Sequence, residues 1–233
     1  MGSSIGDRIQ RREPLFGWFL LATLLPILVM PFTKLDGNLI QKGLLPLSTF
    51  WLVVLALRIM PRDLLRWRGW TFHALYRLLG VLCVAVLWLP FALGPHAGLG
   101  WQLPILSVII GFYLSTTVGI VLVLAQVKRV NEAVLCLGAA GYILLGLTGG
   151  QIATALEVLR PGSFSLGRML PGEALVERLS YFSFVTLGSL GYGDVLPATA
   201  VAESLAVLLS ITATLYITLM IGLLLSRYIE SKS

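Results

Sequence analysis

The segment Gly188-Ser189-Leu190-Gly191-Tyr192-Gly193-Asp194 is suited to chemistry performed by backbone atoms. Glycine reaches left-handed backbone angles that residues with a Cβ resist. Gly191 and Gly193, at alternate positions, therefore let successive carbonyl oxygens point the same way, and Ser189 adds a hydroxyl at one end. A column of such oxygens can replace the water around a potassium ion. One chain supplies only one wall of that column, so the chemistry calls for several copies around a central axis.

Irregular backbone survives at membrane depth only where protein or a water-filled cavity satisfies its polar groups. The flanking sequence is suited to that task. Residues 160–172 carry Pro161, Gly162, Gly167, Pro171 and Gly172 and read as an exposed turret loop. Residues 173–187 contain no Gly or Pro and predict a short helix, whose C-terminal end would turn the negative pole of its dipole toward a cation. Pro197 and a long apolar run follow.

The whole chain has 233 residues, 57% hydrophobic and 12% charged, with a mean hydropathy of +0.90. That composition excludes an ordinary soluble domain. Apolar runs near 15–32, 44–60, 79–94, 103–127, 133–156 and 200–225 predict six transmembrane helices. The expected fold is an all-α membrane protein in two parts. Residues 1–130 form a four-helix N-terminal region, and residues 131–233 hold an outer helix 133–156, a re-entrant helix and loop, and an inner helix 200–225.

The net charge is +6, but the cations sit between apolar runs and report topology, with no nucleic-acid partner implied. Arg8, Arg11 and Arg12, then Arg58, Arg62, Arg66, Arg68 and Arg77, then Lys128 and Arg129, then Arg227 and Lys232 fall on alternate connections. The positive-inside rule places that side, with both termini, in the cytoplasm of a multi-pass cell-membrane protein. The first run superficially resembles a secretory signal, but Pro26, Met30 and Pro31 offer no small-residue cleavage site. Cys83 and Cys136 lie in apolar runs and suggest neither a disulfide framework nor a metal site. No catalytic constellation is visible, so the reading is a non-enzyme whose only bound species is the permeant ion.

The run Tyr181-Phe182-Ser183-Phe184-Val185-Thr186-Leu187-Gly188-Ser189-Leu190-Gly191-Tyr192-Gly193-Asp194-Val195-Leu196-Pro197 resembles the pore helix and selectivity filter of the potassium-channel family, over roughly residues 173–228. The resemblance implies a prokaryotic-type subunit with one pore loop. In it the carbonyls of Ser189, Leu190, Gly191 and Tyr192 coordinate potassium, and Gly193 forms the outer mouth. Asp194 braces the filter from behind, and Thr186 faces it from the pore helix. Against the common Thr-Thr-Val-Gly-Tyr-Gly-Asp, Gly188 replaces a threonine, Ser189 lacks the methyl and Leu190 replaces valine. Phe182 stands where many relatives carry an indole or phenol that bonds the Asp, and Val185 where some carry a carboxylic acid. Two alternatives stay open: a weakly selective cation channel, and a non-conducting accessory or scaffold subunit.

The remaining features are weighed against plain packing. The run 103–127 holds no Lys or Arg, so steep voltage gating is not expected. Residues 61–76 interleave Trp67, Trp70 and Phe72 with arginines and read equally as an interfacial amphipathic helix or a basic loop. Arg62, Arg66 and Arg68 with Arg129 suit anionic membrane lipids. Gly146 and Gly150 in the fifth run suit close packing against the sixth. Glu157, Glu173 and Glu177 read as solvated turret charges offset by Arg160, Arg168 and Arg178, the alternative being cation attraction at the outer mouth. Thr212, Thr214, Tyr216 and Thr218 suit either a cavity wall or bonds to their own helix. The family's hinge glycine would fall near Ala213, with Gly222 lower on the same helix.

Overall fold

The computed structural model describes residues 12–30, 32, 39–60, 66–67, 70–93, 101–127, 130–169 and 173–230. In chain order its helices are α1 (Pro14–Val29), α2 (Leu39–Ile59), α3 (Phe72–Leu93), α4 (Gln102–Gln126), α5 (Glu132–Leu159), the short α6 (Leu175–Leu187) and α7 (Ala200–Glu230). Two small antiparallel ladders join β1 (Arg66–Trp67) to β2 (Trp70–Thr71) and β3 (Phe164–Ser165) to β4 (Leu196–Pro197). Each apolar run expected to be helical is helical over most of its described residues. Three described helices are long and apolar enough to cross a membrane, in α4, α5 and the Ala200–Leu223 part of α7. The apolar stretches Pro14–Val29, Gly43–Ile59 and His73–Trp88 are shorter.

One buried cluster runs through α1 to α5, with Phe16, Leu52, Tyr76, Phe112, Ile120 and Leu144 among its members. Hydroxyls in these helices are satisfied locally, as an apolar surrounding demands. Thr49, Thr117 and Thr154 each donate to the carbonyl four residues earlier. The Tyr76 and Thr116 hydroxyls meet at 3.1 Å, and the Tyr76 ring stacks on Phe112 at 5.3 Å.

Helix ends are tied together by long polar side chains. Arg12 Nη1 donates to the carbonyls of Arg58, Ile59 and Met60 at 2.8, 3.0 and 2.7 Å, placing a cation at the negative end of α2. Asn131 caps α5 by accepting from the Val134 amide at 3.0 Å, and its Nδ2 donates to Glu13 at 2.7 Å. The starts of α1 and α5 and the end of α2 therefore share one end of the bundle, as alternate connections must. Arg8, Arg11, Arg62, Arg68, Lys128 and Arg129 lie outside the described residues.

An amphipathic helix through residues 61–76 is not formed at its described residues before Phe72. Arg66 and Trp67 pair with Thr71 and Trp70, and helix begins only at Phe72. Two residues separate the strands, the second a glycine, the composition that tight hairpins favour.

Candidate functional site

The site is built on α5. A Cβ added at Gly150 would lie 2.6 Å from Ser180 Cα, and additions at Gly146 and Gly149 would strike Phe184 and Ser183. Here α6 sits directly on the α5 backbone. Ser183 Oγ seals the contact by donating to the Gly146 carbonyl at 2.8 Å. This corrects the expectation that Gly146 and Gly150 serve the last helix. That role falls to Gly138 and Gly141, which receive Met220 and Tyr216 of α7, while Gly149 also meets Leu209. The reason is geometric: the short helix wedges between α5 and α7 at this level and takes the closest approach.

At the start of α6, Glu177 is buried at 4% exposure, and its Oε2 accepts from the Ala174 amide at 3.4 Å. It is thus not a solvated turret charge. Ala174 has no side-chain acceptor, so only this half of a capping box exists.

At the other end, the four carbonyls that a helix leaves without intrahelical partners are all taken. Gly188 N–H donates to Phe184 O at 2.9 Å, Leu190 N–H to Val185 O at 3.0 Å and Ser189 N–H to Thr186 O at 3.1 Å. Thr186 thus holds the segment through its carbonyl. The Leu187 carbonyl accepts from the phenol of Tyr142 on α5, at 3.0 Å.

Beyond α6 the backbone alternates in hand. Ser189, Gly191 and Gly193 have φ of 57°, 55° and 76°, whereas Leu190 and Tyr192 are not left-handed. No heavy atom lies within 4 Å of a Cβ added at Gly191 or Gly193, so the angle, and not the space, asks for glycine. Ser189 holds the same angle with a side chain, at a cost of roughly 1–2 kcal/mol. Leu190 and Tyr192 are 59% and 66% exposed on the single chain.

Asp194 ends the segment, held by groups on α6. Arg178 Nη2 stands 3.4 Å from its carboxylate and 3.3 Å from its carbonyl, and Arg178 Nε donates to Leu166 O at 2.9 Å. The guanidinium also lies over the Tyr181 ring, 5.4 Å from its centre. The Tyr181 phenol lies near Asp194; loss of solvent, then the influence of that carboxylate, raises its pKa above the ordinary value. Phe182 brings no donor where relatives carry one, and the donor to Asp194 is Arg178. Phe182 is buried and meets Phe164 edge-on at 5.2 Å.

The turret completes the clamp. A Cβ at Gly167 would run into the Asp194 carbonyl, and Gly167 itself has a φ of 59°. The β3–β4 ladder and the bond from Ala198 N–H to Ser163 O at 2.8 Å fasten the turret to the exit strand. Glu157 accepts from the Gly162 and Phe164 amides at 2.7 and 2.9 Å, which is a loop-shaping role and not that of a solvated charge. Sequence reasoning treated Arg178 only as a counter-charge. Its spacing of three from Tyr181, which puts both on one face of α6, was the available clue.

Among the other candidates, Thr214 and Thr218 donate to Ser210 O and Thr214 O within α7. Tyr216 crosses to α5 and donates to Gly138 O at 2.8 Å. Among the described residues no group of three or more His, Cys, Asp or Glu could hold a metal ion.

Comparison with known families places this geometry. Residues 167–230 match a family model described as an ion channel. No curated protein and no solved structure matches the chain. The matched stretch runs from the turret glycine that touches Asp194 through α6, the alternating segment and α7. It supports an ion channel, and the apolar helices support a membrane location.

Proposed function

We propose that this chain is one subunit of a homotetrameric, potassium-selective channel that conducts passively across the cell membrane. In this reading α1 to α5 and α7 are six spans with both termini cytoplasmic, and α6 is a pore helix. The carbonyls of Ser189, Leu190, Gly191 and Tyr192 form the ion sites, Gly193 forms the outer mouth, and Asp194 braces them. The observation that carries it is the alternation of φ at Ser189, Gly191 and Gly193 immediately after a short helix. Residues alternating between left-handed and right-handed angles present their carbonyl oxygens to one side, the arrangement that replaces a hydration shell.

A second feature supports assembly. Only 17% of the apolar window of α7 is buried within the chain, against 61% for α5. Val207, Leu208, Ile211 and Leu215 all stand open, as do Leu190 and Tyr192. Copies arranged around an axis would cover these faces and close the carbonyl ring. The region α1 to α4 then serves as a collar without voltage-sensing charges, since α4 contains no Lys or Arg.

Purified protein in liposomes should form tetramers, carry potassium or thallium, and give bi-ionic reversal potentials favouring potassium over sodium. Reversal potentials near zero would move the assignment to a weakly selective cation channel, a reading favoured by the small Gly188 and Ser189 at the inner end. Monomeric protein without flux would leave an accessory or scaffold subunit.

A further inference from the structure

We propose that Tyr142 is a positioning residue for the inner end of the filter, and that with Tyr216 it links the filter to the inner helix α7. The inference rests on the channel reading. Leu187 is the residue before Gly188, and its side chain is 4% exposed. The three carbonyls preceding its own are held by amides of the following segment, which are local bonds that form as the chain turns. The Leu187 carbonyl is held by a side chain from another helix, the Tyr142 phenol at 3.0 Å. Its orientation at the filter entrance thus depends on where α5 places that phenol.

The Tyr142 ring in turn leans on α7. Its centre is 6.2 Å from that of Tyr216, with the planes tilted by 40°. Tyr216 is seated against Gly141, where an added Cβ would come within 3.0 Å of its ring, and its hydroxyl donates to Gly138 O at 2.8 Å. Gly138 lies one helical turn before Tyr142. Leu209 and Ala213 are buried with Leu187 in a small cluster to which Tyr142 also packs. Positions 209, 213 and 216 form one face of α7. The same face of the inner helix therefore touches the Leu187 side chain and the ring that holds the Leu187 carbonyl. A shift of α7 cannot leave that carbonyl undisturbed.

Attachment of α6 to α5 is already provided by the glycine contacts and by the Ser183 bond. The Tyr142 bond lies at the filter end, where it sets the direction of a carbonyl two residues before Ser189. Its loss acts on ion discrimination more than on assembly.

The experiment compares Tyr142→Phe, Tyr216→Phe, the double variant and Ser183→Ala with the parent protein in potassium-loaded liposomes. It reads the potassium-to-sodium permeability ratio, the potassium half-saturation of flux, and thermal stability of the tetramer. Tyr142→Phe keeps the ring and removes the donor; the permeability ratio should fall about three- to tenfold, the range one neutral hydrogen bond spans. Tyr216→Phe should move it in the same direction, and the double variant should change no more than the larger single, because the two act in series. Ser183→Ala should lower thermal stability and leave the ratio unchanged. An unchanged ratio in Tyr142→Phe, additive effects in the double variant, or an equal fall in Ser183→Ala would overturn the proposal. If Tyr142→Phe does not assemble, Tyr216→Phe decides, since it leaves the Leu187 bond in place and an unchanged ratio there overturns the link. Parent protein without potassium flux would overturn the channel reading and this inference with it, whereas parent flux with insensitive variants overturns the inference alone.

Discussion

Substituting alanine at Gly191 adds one methyl group at a position where nothing stands within 4 Å to collide with it. Within the chain the effect comes from the backbone angle, a φ of 55° that alanine resists. The cost is roughly 1–2 kcal/mol per chain. In a ring of four chains that amounts to about 4–8 kcal/mol, or roughly a thousandfold or greater loss of the aligned conformation. Gly111→Ala is the matched control. It also has no neighbour within 4 Å but sits inside α4 at a helical angle, where alanine is favoured by about 1 kcal/mol. Both variants are reconstituted into liposomes, and potassium flux and reversal potential are measured alongside tetramer content. Gly191→Ala should assemble and lose potassium flux or selectivity, while Gly111→Ala should behave as the parent. Unchanged conduction and selectivity in Gly191→Ala would show that these residues are not the conduction path.

Four further outcomes are expected. Ser189→Thr should keep potassium flux and its selectivity, whereas Ser189→Ala should raise the potassium concentration for half-maximal flux without abolishing conduction, both read in flux titrations. Arg178→Gln should remove the charged support of Asp194 and shorten the lifetime of sustained current, by an amount consistent with about 1 kcal/mol. Gly150→Leu should drive α6 off α5, because the first added carbon would already lie 2.6 Å from the Ser180 Cα, and should abolish the assembled tetramer on native gels. Conductance should vary only shallowly with voltage, and a steep curve with several gating charges per chain would contradict the collar role of α1 to α4.

What the amino-acid sequence determined by itself were the properties set by local chemistry. The apolar runs dictated helices because in hydrocarbon a backbone must satisfy its own polar groups. The alternation of glycines announced an unusual strand, and the absence of Gly and Pro from 173 to 187 announced the short helix before it, found from Leu175. Contacts between distant residues were another matter. Which partner each α5 glycine receives depends on how three helices pack, so Gly150 could not be paired with Ser180 in advance. The burial of Glu177 and the loop bonds of Glu157 arise because the turret folds back over α6, where composition alone suggested solvated charges. Ser189 is the clearest instance. No propensity would place a serine at a φ of 57°, and only the bonds from the following amides to the end of α6, with the clamp on Asp194 beyond, hold it there. Tyr142 and Tyr216 lie 74 residues apart; the sequence offers Tyr216 a cavity wall or its own helix, and gives Tyr142 no role. Tertiary structure alone brings their rings together beneath the filter, because α7 must cross the glycine face of α5 to reach its place.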